Sequence, residues 1–391
     1  MNDLNWVPSH PSPMQPPQPP PLPPLPPNFT GKRGDFVRLV ARGAGLELVT
    51  AGFYRFWLAT DIRRHLWSNT EIAGDAMEYT GRGKELLIGF LFAMAILVPI
   101  YLAYFLVTIE VERQFKGFAS FPLLLAFYAF GQFAIYRARR YRLTRTVWRG
   151  VRFWMDGSGW AYAWRAVLWG IFTFVTLGLA LPWREAALER YKMRHSWYGD
   201  LQGEFTAKGS EFFKRAWGLW LLTPFALVLF PTIPFLYAYF KAIEWRWWLS
   251  GVGFGPVRLQ STLPRNAFVG LYWSVIGWYL LASVALSIYV GICVAITAAF
   301  NRGLPNAAGH AASPSIGQSI PLLIATAIVY IGLILSLNVV IRLYLVRDLW
   351  TRVLASVQVH DIGAAADVAA RGEPASALGE GFADGLDVAG F

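Results

Sequence analysis

Residues 86–109 read LLIGFLFAMAILVPIYLAYFLVTI, 24 positions without a charge. About 20 apolar residues are what an α-helix needs to cross the roughly 30 Å hydrocarbon core of a bilayer. Working outward, further apolar stretches cover 118–136, 160–182, 217–240, 267–300 and 320–346. A seventh, 36–57, is interrupted by Arg38, Arg42, Glu47 and Arg55. It reads either as a poor span or as an amphipathic element in the interface. The pattern predicts an all-α polytopic membrane protein of about six to seven transmembrane helices. Pro224, Pro231 and Pro234 predict a kinked or broken helix over 217–240. The 267–300 stretch is longer than one crossing needs, so a tilt is expected. Trp245, Trp247, Trp248, Trp273 and Trp278 crowd the segment ends, as interface anchors do.

Composition agrees. Charged residues are 15% of 391, against roughly 25% in soluble domains. Mean hydropathy is +0.39. The net charge of +11 lies largely in short loops between apolar stretches, which points to topology and anionic lipid headgroups as partners. No nucleic-acid-binding motif accompanies it. Cys293, the one cysteine, lies in an apolar stretch, so no disulfide framework is expected. The first 35 residues hold no apolar signal-peptide core.

Loops 58–85, 137–159 and 241–266 with the tail 347–391 hold 18 Lys and Arg, against 10 in loops 110–117, 184–216 and 301–318. The positive-inside rule then places the first set, and the C-terminus, in the cytoplasm. Loop 184–216 carries seven basic residues and sits badly outside. If stretch 160–182 is re-entrant, that loop moves inside.

Shifting the chain by 126 positions gives ten identities over residues 31–88, among them Gly52/Gly178, Trp57/Trp183, Arg64/Arg190, Thr80/Thr206 and Gly83/Gly209. The chain is therefore expected to be internally duplicated. Repeats span 29–152 and 153–266, a helix pair spans 267–346, a proline-rich leader covers 1–28, and a flexible acidic tail covers 347–391. Stretches 74–81, 150–157 and 199–206 alternate between turn glycines, which suits short juxtamembrane β-strands. Residues 8–27, PSHPSPMQPPQPPPLPPLPP, form an extended polyproline tail. It serves either as a stiff spacer or as a docking peptide for a protein partner.

Three motifs and the tail carry a resemblance. They are TLGLALPW at 176–183, WRGVRF at 148–153 followed by GSGW, and ERYKMR at 189–194 leading into WYGD. The tail reads LGEGFADGLD at 378–387. Over about residues 29–391 the chain resembles the YjgN family of bacterial inner-membrane proteins. The resemblance implies an inner-membrane location and carries no reaction or substrate.

Chemistry is sparse. The five histidines are scattered without ligand spacing, and no Gly-x-Ser-x-Gly elbow, Walker loop or dinucleotide fingerprint occurs. No metal, cofactor or enzymatic activity is expected. Ionisable groups inside apolar stretches remain, since burying one costs at least about 2.5–3.5 kcal/mol without a partner or wet cavity. Glu47 with Arg42, Arg165 and Asn338 form the candidate intramembrane polar site. Trp57, Trp183, Arg64 and Arg190 are the repeat-paired residues, read as interface anchors or as the lining of a symmetric pocket. The functional expectation is a transporter, channel or lipid- or solute-handling protein built on the duplicated unit. The alternative is a structural or assembly protein that recruits partners through its termini.

Overall fold

The computed structural model describes residues 23–111, 121–302 and 316–373. The acidic residues of the 378–387 tail and leader residues 1–22 lie outside these. The chain repeats one unit: two helices, then a tight β-hairpin. Helices α1 (Arg33–Val49) and α2 (Arg55–Ser68) lead into β2 (Thr70–Ile72) and β3 (Asp75–Tyr79). Helices α3 (Gly83–Val111) and α4 (Phe121–Thr144) lead into β4 (Thr146–Trp148) and β5 (Val151–Met155). Next come α5 (Gly159–Val175), α6 (Leu181–Arg194), β6 (Ser196–Tyr198) and β7 (Leu201–Phe205). Then follow α7 (Gly209–Val228), α8 (Ile233–Leu249), β8 (Val252–Phe254) and β9 (Val257–Ser261). Last, α9 (Val269–Arg302) and α10 (Ile316–Ile341), continued by a π-helical turn and α11 (Leu349–Ala355), lead into β10 (Val357–His360).

The ten strands pair antiparallel in chain order, from β1 (Asn28–Phe29) to β10. Leu25, just before β1, exchanges two 3.0 Å backbone hydrogen bonds with Val359 of β10. The first and last strands thus complete the fifth hairpin, and the ladder closes on itself. Five equivalent backbone bonds mark the repeat. The residue after each second strand donates to the carbonyl before the next unit's first strand: Thr30 to Asn69, Thr80 to Arg145, Asp156 to His195, Thr206 to Gly251 and Thr262 to Ser356, at 2.8–3.0 Å. The helices pack in a matching ring, each pair against the next and α10 back against α1.

This overturns the all-α expectation and the count of six to seven spans. The strands are not separate surface pieces but one continuous sheet. The repeat occurs five times rather than twice. Four helical stretches among the described residues are long and apolar enough to cross a bilayer: Gly83–Leu106, Phe121–Thr144, Val269–Ala299 and Ile320–Ala355. They mark the chain as a membrane protein. Stretch 36–57, open between a poor span and an interfacial element, and stretch 160–182, open between a span and a re-entrant pair, do not continue as single helices. The chain instead reverses at Ala51–Gly52 (φ 49° and 87°) and at Leu177–Gly178 (φ 50° and 88°). Stretch 217–240 breaks at a 3-10 turn, Phe230–Thr232, and also folds back.

All five helix pairs leave the same rim of the sheet, because in a meander every odd-to-even connection lies at one end and the two-residue turns at the other. From that rim α3 runs 29 residues, while α1 and α5 run 17. At 1.5 Å per residue the short helices end about 18 Å sooner. That difference is more than half of a hydrocarbon core roughly 30 Å thick. Their tips are bare and apolar: Val49 is 82% exposed, Leu177 90% and Val228 84%.

Inside the sheet, Ile72, Met77, Trp148, Phe153, Leu201 and Val359 face a wholly apolar chamber of about 140 Å³. Ile362 and Ala365 of the following 3-10 turn close it. Between units the backbones meet at glycine. A Cβ on Gly83 would stand 2.7 Å from Trp57 Cα, and one on Gly209 would stand 2.8 Å from Trp183 Cα. Gly83→Leu and Gly209→Leu are each expected to cost at least about 1–3 kcal/mol by overpacking. Thermal melts in detergent check this, with Gly45→Leu, which has open space around it, as the unaffected control.

Candidate functional site

Three second helices turn one stripe each to the inner side of the ring. On α4 the stripe is Ile135, Arg139 and Arg142; on α6 it is Glu185, Glu189 and Lys192. Both have i, i+4, i+7 spacing, which keeps them on one helical face. On α8, Lys241, Glu244 and Trp248 follow i, i+3, i+7. Helices α5 and α7 lie between these three and contribute nothing. Together the stripes enclose a cavity of about 230 Å³, with Trp245 and Trp247 completing the wall.

Its charges are paired and partly buried, Glu189 most deeply. Arg139 Nη1 donates to Glu189 Oε2 at 3.0 Å, and Lys192 Nζ pairs with Glu189 Oε1. Lys241 Nζ lies 2.7 Å from Glu244 Oε2, and Arg184 Nη1 lies 3.0 Å from Glu185 Oε1. Burial alone would push the Glu189 carboxyl up, but the Lys192 and Arg139 cations outweigh it and hold it at about 2. Burial wins at Glu185, which is raised above the usual carboxylate range despite Arg184 and Lys192. The wall therefore presents four cations against three carboxyl groups, one of them biased toward its neutral form.

The cavity stands where the helices change character. Helix α4 is apolar to residue 136 and basic from Arg137; α8 is apolar to Phe240 and charged from Lys241. Such a change from apolar to charged is the pattern of a helix at the headgroup level of a bilayer. Directly membraneward lies an apolar groove of about 280 Å³ between α6, α7 and α8, lined by Leu181, Leu219, Trp220, Leu236, Tyr237 and Phe240. Leu181 and Glu185 lie one turn apart on α6, as do Tyr237 and Lys241 on α8. Groove and charged cavity are thus consecutive along two helices.

The structure disperses the polar site predicted from sequence. Glu47 pairs with Arg342 of the π-helical turn at 3.1 Å, while Arg42 is exposed and makes no contact with it. Arg165 is exposed, bonds to the Ala161 carbonyl and lies 4.6 Å over the Tyr191 ring. Asn338 donates to Ile334 O and lines a separate groove between α9 and α10. The repeat-paired residues do share one role. Arg64 donates to Gly81 O at 3.2 Å and Arg190 to Ala207 O at 3.4 Å, latching each unit to the start of the next. Arg347 does the same for the ring closure, donating to Gly31 O at 2.8 Å. Trp57 and Trp183 supply the backbone that Gly83 and Gly209 touch, and both indoles remain more than a third exposed. Sequence reasoning missed the charged cavity because its residues were assigned to loops 137–159, 184–216 and 241–266; the i, i+4, i+7 spacing was the available signal.

Fold and site define a membrane protein with a ring of helix pairs standing on a closed ten-stranded sheet, and with an ion-paired cavity at its inner rim. The family model described as "Bacterial protein of unknown function (DUF898)" matches residues 24–233 and 214–385. The chain belongs to this bacterial family, and the YjgN-like resemblance points to the same one. No curated protein and no solved structure matches.

Proposed function

We propose that this protein handles a lipid of the bacterial inner membrane, seating the headgroup in the charged cavity and an acyl chain in the adjoining groove. The observation that carries the reading is the continuity of the two along α6 and α8, at the level where the helices pass from apolar to charged. A soluble solute would have no use for the groove, and an ion would have none for the tryptophans. Electrostatics favours a cytoplasmic sheet with both chain ends on that side. With stretch 160–182 re-entrant, loop 184–216 joins the sheet side, and the Lys and Arg tally of the same loops becomes 25 against 3. The lipid then comes from the cytoplasmic leaflet.

Native mass spectrometry of the detergent-purified protein tests the reading. A co-purifying lipid is expected, and it is expected to be lost in Leu236→Trp, which fills the groove, while the melting temperature holds. A bare chain would contradict the proposal. A chain that arrives with a protein and no lipid would favour the assembly role.

A further inference from the structure

We infer that the headgroup selected by this cavity carries both a phosphate and an ammonium group, so that the ligand is an aminophospholipid rather than a purely anionic lipid. The inference rests on the lipid reading above and names its substrate class. A site for a simple anion presents cations and keeps carboxylates away. This wall sets carboxylates among its cations: Glu189 is held between Arg139 and Lys192, and Glu244 stands 2.7 Å from Lys241. An added anion would have to share these cations with the standing carboxylates, which already occupy them. A headgroup with both signs brings no net charge. The Lys241–Glu244 pair can open, with Lys241 and Arg142 turning to the phosphate while the incoming ammonium takes the place of Lys241 on Glu244.

The aromatic geometry agrees. Trp245 and Trp248 stand 5.6 Å apart at 83°, an edge-to-face corner in the same wall as Glu244. An ammonium over an indole face is attracted by the ring quadrupole, and more strongly where water is scarce. Carboxylate and aromatic corner together suit a cation with N–H donors; a glycerol headgroup carries no cation for the aromatic corner.

The test is lipid exchange on the full-length protein, read by native mass spectrometry after delipidation. Phosphatidylethanolamine and phosphatidylglycerol of identical chains are supplied at equal concentration. The expected result is at least tenfold more phosphatidylethanolamine adduct. Glu244→Gln and, independently, Trp245→Leu should each reduce that preference to less than threefold without removing lipid binding. Two variants are used so that misfolding of one, detected by its melt, leaves the other to decide. Equal adducts, or a preference for phosphatidylglycerol, would overturn the headgroup assignment and leave the lipid reading standing. Absence of any adduct in the unmodified protein would remove both.

Discussion

Glu189→Leu is expected to destabilise the folded protein by about 3–5 kcal/mol, the usual cost of stripping the counter-ion from buried charge. Glu189 is 7% exposed, and its carboxylate is the shared partner of Arg139 on α4 and Lys192 on α6. Its loss leaves two cations against each other in a desolvated wall, and removing Lys192 as well (Lys192→Met) should recover part of the loss. Acid should reproduce the effect within a defined window. The folded-state pKa, about 2, lies below the ordinary value of 4.5. The stabilisation is therefore complete above 4.5 and disappears as pH falls from there through about 2, on the order of 3 kcal/mol in all. Denaturant titrations at pH 7 and pH 3 check both statements. A Glu189→Leu loss below about 1 kcal/mol would mean that the triad is not a determinant of the fold.

Deleting residues 1–31 is expected to be at least as damaging. The deletion removes Leu25 and β1, so β2 and β10 become open edges with unpaired backbone groups. It also removes the Gly31 carbonyl that Arg347 holds at 2.8 Å. Closure joins residues more than 300 positions apart, so nothing local replaces it. Size-exclusion chromatography should show aggregated or multimeric protein, whereas deletion of residues 1–22 alone should elute as the full chain does. Two superimposable elution profiles would show that the fifth hairpin is dispensable.

How much of this was readable from sequence depends on range. The hydropathy of 86–109 gave a membrane helix directly, and the turn glycines around 74, 150 and 199 gave the hairpins. Units one and three align at a spacing of 126 residues because both have short helix pairs. Units two and five carry long spanning pairs, so no fixed shift reaches them, although Thr30, Thr80, Thr206 and Thr262 mark equivalent positions. Ring closure is invisible locally, since Leu25 sits among prolines and meets Val359 only in the folded chain. The re-entrant pairs misled because apolarity reports that a segment enters lipid, not whether it leaves on the far side. The cavity was hidden for a related reason: charged helical stripes at a membrane surface look like loop charge until three helices are set side by side.

Short helix pairs that enter one leaflet and return would set the charged cavity at headgroup level. A single cysteine at the α5–α6 tip tests this most directly, as Leu177→Cys with Cys293→Ser, in vesicles of known orientation. No reaction with a membrane-impermeant maleimide is expected from either side. A fluorophore placed there is expected to be quenched most by nitroxides deep in the acyl chains. Labelling from the face opposite the sheet would show that the pair crosses. Labelling from the sheet's own face would show that it never enters, and either result would exclude a re-entrant pair.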